Sequence, residues 1–267
     1  MPKINGTFLQ LHKKTNTYPP PEYYNTLEFG ETISLADCVD KGNSAGTVSY
    51  KFSSIDEVRR LIGTADPQNK LFLVESNSAH HMSAFLVQRA FDGMERDSEG
   101  KITGALVVNF DQHEDHGKPN SEFYCGSWGG HVNSDYLVVG LFSRQEAHLY
   151  NYGANGYKNF PLKKCTDIYK SYSKIYVTVD MDVLNGGKSR RTNWKHGAMS
   201  KDILLRLLND LPGDKLVAAD VTGFPPYIQN EGTRNESLGE LNTYLSDITE
   251  TAETLCRLMG IQPYTDN

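Results

Sequence analysis

Apolar positions follow two rhythms along this chain. Unbroken runs at 71–74, 105–110, 136–142, 175–179 and 216–219 have the length of strands buried on both faces. Between them, apolar residues recur at three- and four-residue steps. Ser54, with Glu57 three positions on, has the capping pattern of a helix start, and Gly63 supplies a stop. Over 83–95, Leu86, Val87, Ala90, Phe91 and Met94 share one helical face. Ser200 opens another helix through Ile203, Leu204, Leu207 and Leu208. The last, at about 240–259, carries Leu241, Tyr244, Leu245, Ile248, Ala252, Leu255, Cys256 and Met259 and closes at Gly260. The segment 145–170, rich in Tyr and Asn, fits neither rhythm.

From about residue 50, strands and helices alternate. Strands that are apolar throughout need cover on both faces, so the pattern predicts an α/β fold with three layers, α/β/α, around a mainly parallel central sheet. One domain over residues 1–267 is expected, since no repeat or low-complexity linker divides the chain.

Composition narrows the function. A net charge of -6 without a clustered Lys/Arg face disfavours nucleic acid as a partner and suits a small-molecule substrate. Cys38, Cys125, Cys165 and Cys256 are dispersed, with no Cys-x-x-Cys, so reduced thiols are expected rather than a zinc ribbon or disulfide scaffold. The amino terminus lacks an apolar signal core and no stretch is long enough to span a bilayer. A cytoplasmic location without membrane association is the expectation.

Chemistry concentrates where two predicted strands end. Asp111-Gln112-His113-Glu114-Asp115 follows the run 105–110, and Asp180-Met181-Asp182 follows 175–179. If each segment is extended, alternate side chains share a face, and Asp111, His113 and Asp115 converge on one point as Asp180 and Asp182 do. A lone Asp-x-Asp at a strand end is ordinarily a solvated pair or helix cap. Two such motifs together point to a metal site. Ligands in parallel sheets bind beyond the carboxyl ends of strands, where both motifs fall. Carboxylates with few imidazoles and no thiolate suit a hard or borderline divalent ion such as manganese, and their number suits two ions. The Gly-rich, aromatic stretch Cys125-Gly126-Ser127-Trp128-Gly129-Gly130-His131 reads as an active-site loop.

These motifs, in this order, resemble the ureohydrolase superfamily of arginases, agmatinases and formiminoglutamases. Asp111-x-His113-x-Asp115 and Val179-Asp180-Met181-Asp182 carry the resemblance, supported by Leu137-Val138-Val139-Gly140-Leu141 and by His196-Gly197-Ala198-Met199-Ser200 before a helix. It implies an arginase-like fold with two manganese ions per chain, zinc being the alternative. Asp111 and Asp180 would bridge the ions, His80 and Asp115 complete one, and His113 and Asp182 the other. The family's further histidine motif corresponds to Asn77-Ser78-Ala79-His80-His81, where His81 remains an alternative to His80. A bridging hydroxide is the implied nucleophile. His131 corresponds to a loop histidine expected to handle the proton of the leaving amine, while His116 is a candidate to orient a ligand. A homo-oligomer is the assembly the resemblance suggests.

Two departures bear on the substrate. Where guanidine-cleaving members carry a glutamate after a late strand, this chain reads Asp220-Val221-Thr222-Gly223-Phe224-Pro225-Pro226, with Gly223 in that place. Where arginases use an asparagine two residues past the first motif, Gly117 stands. The expected function is hydrolysis of a nonpeptide C-N bond in a small linear amidine, formimino or guanidino-type compound, with Glu231 available to meet a cationic substrate. A deacetylase-like single-zinc hydrolase and a noncatalytic binding protein on the same scaffold are the alternatives.

Overall fold

The computed structural model describes residues 3–11, 28–44, 47–117, 123–141, 146–153, 156–185, 197–223 and 238–262. Within them lies a nine-stranded sheet and a separate two-stranded hairpin. In chain order the strands are β1 (Lys3–Gln10), β2 (Glu28–Ser34), β3 (Val39–Ser44), β4 (Thr47–Phe52), β5 (Leu71–Val74), β6 (Ala105–Phe110), β7 (Asp135–Val139), β8 (Glu146–Tyr150), β9 (Tyr157–Pro161), β10 (Lys174–Asp180) and β11 (Leu216–Thr222). The sheet order is β2-β1-β5-β11-β10-β6-β7-β8-β9, and β3 and β4 form the hairpin. Pairing is parallel from β2 through β7 and antiparallel for β8 and β9.

Alternation along each strand divides the core in two. On β6, Leu106, Val108 and Phe110 face one layer while Ala105 and Val107 face the other, all fully buried. The first layer is closed by the helices Cys165–Lys170, Lys201–Asn209 and Leu238–Leu258, the second by Ile55–Ile62 and Ser83–Ala90. This is the three-layer arrangement the apolar runs predict. Each fully buried Leu, Val or Phe contributes roughly 1.5–3 kcal/mol, so truncating a central residue such as Leu106 to alanine would cost about 2–5 kcal/mol.

Helix ends follow the capping residues. Ser54 accepts a hydrogen bond from Glu57 N at 3.2 Å, and Ser200 from Ile203 N at 3.3 Å. The helix predicted over 83–95 stops at Ala90. Phe91 is buried just beyond it and Gly93 (φ 72°) reverses the chain, so apolar spacing continues through a turn. The run at 136–142 is a strand only to Val139, Gly140 turning the chain at φ 112°; Phe142 lies outside the described residues. A Cβ at Gly140 would stand 2.5 Å from Val183 Cγ2 and 3.2 Å from the Asp111 carbonyl oxygen. The missing side chain thus lets β7 approach both acidic segments. The segment 145–170 proves to hold β8, β9 and a short helix. Among the described residues no helix is long and apolar enough to cross a membrane.

Candidate metal centre

Three central strands of one parallel block end at the same edge and deliver the candidate ligands. β6 stops at Phe110, β10 at Asp180 and β5 at Val74; the last leads through Glu75 and Ser76 into a short 3-10 segment, Asn77–Met82. The expected convergence is present, but not through an extended chain. Residues 111–117 form a loop, and Asp115, at φ 45°, is the one non-glycine residue with positive φ among those described. That turn sends its carboxylate back toward His80. Asp182 likewise sits in a 3-10 turn, its backbone N–H donating to Asp180 Oδ1 at 3.0 Å.

The side chains meet in two groups that share Asp111. His80 Nδ1 lies 3.2 Å from Asp111 Oδ2, 2.9 Å from Asp115 Oδ2 and 3.4 Å from Asp180 Oδ2. His113 Nδ1 lies 3.3 Å from Asp111 Oδ1 and 3.2 Å from Asp182 Oδ2. Ligand-type atoms of His80, Asp111 and Asp180 fall within 4.8 Å of one another, as do those of Asp111, His113 and Asp182. Asp111 therefore turns one oxygen to each group. Asp180 joins only the His80 group by this measure, and Asp115 enters through its contact with His80.

Several neighbours orient these ligands. Asn109 Nδ2 donates to Asp111 Oδ2 at 3.1 Å and to Tyr136 Oη at 2.7 Å. His113 N donates to Asp111 Oδ1 at 2.7 Å. Trp128 Nε1 donates to Asp115 Oδ2 at 3.1 Å, and its ring centroid lies 5.0 Å from that of His80. Sequence reasoning noted the loop containing Trp128 but not its role. No local spacing signals it, since thirteen positions separate the indole from Asp115.

The remaining histidines separate clearly. His81 points into an aromatic nest, 4.6 Å from the ring of Phe52 and 5.5 Å from that of Phe123, so the structure turns His80 rather than His81 toward the carboxylates. Burial first, and the neighbouring His80 second, push the His81 pKa down to about 3. His116 stacks on Tyr150 at 4.0 Å, outside both ligand groups. His131 ends the 3-10 turn Trp128–His131, edge-on to Phe123 at 5.2 Å, and is likewise in neither group. His196 and Glu231 lie outside the described residues. Gly223 directly follows β11 beside the second motif: a Cβ there would meet Met181 Cβ at 3.1 Å and Tyr244 Oη at 3.3 Å, and its φ is 102°.

The electrostatics suit cations. Burial and the charge of Asp111 push Asp182 up to about 7 and Asp115 up to about 6; burial and Asp182 hold Asp180 well above the usual carboxylate range. Burial opposes charge on the histidines, yet the surrounding aspartates hold His80 well above its ordinary value and push His113 up to about 11. Crowded carboxylates thus retain protons that only positive charge can replace. Both oxygens of Asp182 are buried, with the His113 imidazole 3.2 Å from Oδ2. Four carboxylates, two imidazoles and no thiolate form a donor set that fits two divalent ions of the manganese type.

No protein-family model and no curated protein sequence matches the chain. Solved structures do. Proclavaminate amidino hydrolase from Streptomyces clavuligerus superposes with a TM-score of 0.54 at 13% identity, covering 97% of this chain and 94% of that one. An arginase from Medicago truncatula gives 0.55 at 14% identity over 95% and 87%. Formimidoylglutamase from Bacillus subtilis gives 0.51 at 11% identity over 99% and 89%. At such identities the likeness is one of fold, and it spans nearly the whole chain: this protein has an arginase-like fold.

Proposed function

We propose that this chain is a binuclear metal-dependent hydrolase that cleaves a nonpeptide C-N bond in a small linear amidine, formimino or guanidino-type compound, with manganese as its metal. The observation that carries the reading is Asp111, whose two oxygens face two separate histidine-carboxylate groups. The amidino hydrolase and formimidoylglutamase among the structures of like fold supply the reaction class.

In this reading Asp111 and Asp180 are shared ligands, His80 and Asp115 hold one ion, and His113 and Asp182 the other. Two divalent ions held there would supply a lowered pKa for water and positive charge against the negative charge that develops at the amidine. The chain itself does the rest. The four carboxylates balance two divalent charges, the Trp128 indole holds Asp115, and Asn109 holds Asp111. His131 stands on the adjacent loop to hold a proton for the leaving amine.

A single-zinc, deacetylase-like reaction is the second reading, because the His80 group alone is a complete single site. The His113-Asp182 group weighs against it. Metal analysis of the purified chain after supplementation, combined with assays of ammonia, urea and formamide release, tests the proposal. About two manganese ions per chain and turnover of an amidine support it; one tightly held zinc, or no uptake of metal, overturns it.

A further inference from the structure

Beneath His80 lies a hydrogen-bond chain that the candidate ligands do not use. Thr178 and Asp220 are register partners on β10 and β11, both fully buried. Asp220 accepts three hydroxyl protons: from Tyr176 Oη at 2.6 Å on Oδ2, and from Thr178 Oγ1 at 2.8 Å and Ser83 Oγ at 3.0 Å on Oδ1. His80 Nε2 sits 2.9 Å from Thr178 Oγ1.

With Asp220 ionised and accepting from both Ser83 and Thr178, whose hydroxyl oxygens lie 3.4 Å apart, counting protons gives this chain a direction. A threonine hydroxyl has one proton to give. With that proton on Asp220, Thr178 can only accept from His80, so Nε2 carries the imidazole proton. Nδ1 is then the nitrogen left facing the space between Asp111, Asp115 and Asp180, where a cation would take the place of the proton that these carboxylates favour. Were Asp220 not an acceptor, Thr178 could donate to Nε2 instead, leaving a proton on Nδ1 where a cation must bind. His113 is held differently: it is 31% exposed, and its Nε2 faces the Gln112 side-chain amide at 3.1 Å.

We propose that Thr178 and Asp220 are positioning residues that set the tautomer of His80 and so govern cation affinity in the His80 half of the centre alone. This rests on the two-cation reading above. Its distinctive consequence is a coupling confined to one half, because a partner of one ligand cannot act on an ion that the ligand does not touch.

The test is equilibrium titration of the chelator-stripped chain with manganese in two backgrounds. In His113→Ala, which leaves the His80 half, adding Thr178→Val should weaken binding on the order of 10- to 100-fold. Thr178→Ser, which keeps the hydroxyl, should restore it, and Asp220→Asn should reproduce the loss. In His80→Ala the same Thr178→Val change should leave binding at the other half unaltered. With diamagnetic zinc bound, nitrogen-15 spectra of the wild type should show His80 protonated at Nε2. Equal weakening in both backgrounds would mean general damage and overturn the proposal, as would unchanged affinity in His113→Ala or a proton on Nδ1. If the wild type takes up no cation, this inference and the proposed function fall together. Two bound ions with the expected coupling but no amidine hydrolysis would remove the function and leave this inference standing.

Discussion

The indole of Trp128 donates to the same Asp115 oxygen that faces His80, tying the Gly-rich loop to the first acidic motif at 3.1 Å. A buried hydrogen bond to a charged acceptor is worth about 1.5–3 kcal/mol. Trp128→Phe keeps much of the ring packing and removes the donor. It should lower manganese affinity while the circular dichroism spectrum stays native; unchanged affinity would show that Asp115 is fixed by its backbone turn alone.

Asp180→Ala should abolish hydrolysis and reduce bound metal, since on the proposed reading it removes a ligand and leaves the remaining carboxylates out of balance with the ions. Because an ion that binds only the folded state raises stability by mass action, chelation should lower the melting temperature of the wild type more than that of the variant. Equal responses to chelation would defeat the ligand assignment.

His131→Ala should keep the wild-type metal content yet lose on the order of 10² to 10⁴ in turnover. Metal counting and kcat on the same preparation separate the two effects. Loss of metal would move His131 among the ligands, and unchanged turnover would make it a loop residue only.

Without metal, stability should fall as pH rises. Asp115, up to about 6, and Asp182, up to about 7, keep protons that unfolded carboxyl groups release near 4. These two groups therefore take up protons on folding across roughly pH 4–7 and their contribution declines through that window, opposed below about pH 6.5 by His81, which burial pushes down to about 3. His113, up to about 11, holds a proton that the unfolded ring loses near 6.5, so its contribution fades across roughly pH 6.5–11. Asp111, depressed by the two histidines against its burial, acts oppositely and loses its contribution only in stronger acid. Chelated protein should melt at lower temperature near pH 9 than near pH 5, while the gain from added manganese grows with pH because ligands must shed protons. A melting temperature that rises with pH under chelation would contradict these assignments.

Arginine and agmatine should be poor substrates. A buried guanidinium without a carboxylate partner loses a charge-assisted hydrogen bond and keeps a desolvation cost of several kcal/mol, and Gly223 offers no such partner. Nor is the position open to a side chain: at φ 102°, with Met181 and Tyr244 close by, Gly223→Ala should destabilise the fold by roughly 1–3 kcal/mol. Denaturant titration of that variant, and urea release across a guanidino, formimino and amide panel, check both parts. Efficient urea release from either compound would overturn the substrate argument.

Much of this was legible because the central strands are buried on both faces. β5 and β6 coincide with their apolar runs, and β10 and β11 extend theirs into the polar residues that build the centre. Strands away from the sheet's centre were harder to read. β9 is exposed along most of its length, and β1 breaks its apolar run with Gly6 and Thr7, so neither has a continuous signal. The ligand residues were legible as motifs, but their geometry was not: alternation along a strand cannot foresee the left-handed turn at Asp115. Trp128, Thr178 and Ser83 act through contacts between segments distant in sequence, which no local spacing encodes.

The strand order dictates when the centre can exist. β11 lies between β5 and β10, although it follows both in the chain. His80 and Asp180 are therefore held apart at their working separation only after that late segment has been inserted. An ion in the His80 half therefore joins at the end of assembly, whereas β6 and β10 pair directly and bring Asp111, His113 and Asp182 together without β11. In the His80 half bound metal then acts mainly as a brake on unfolding, and the speed at which that half forms is left to the long-range pairing of the sheet.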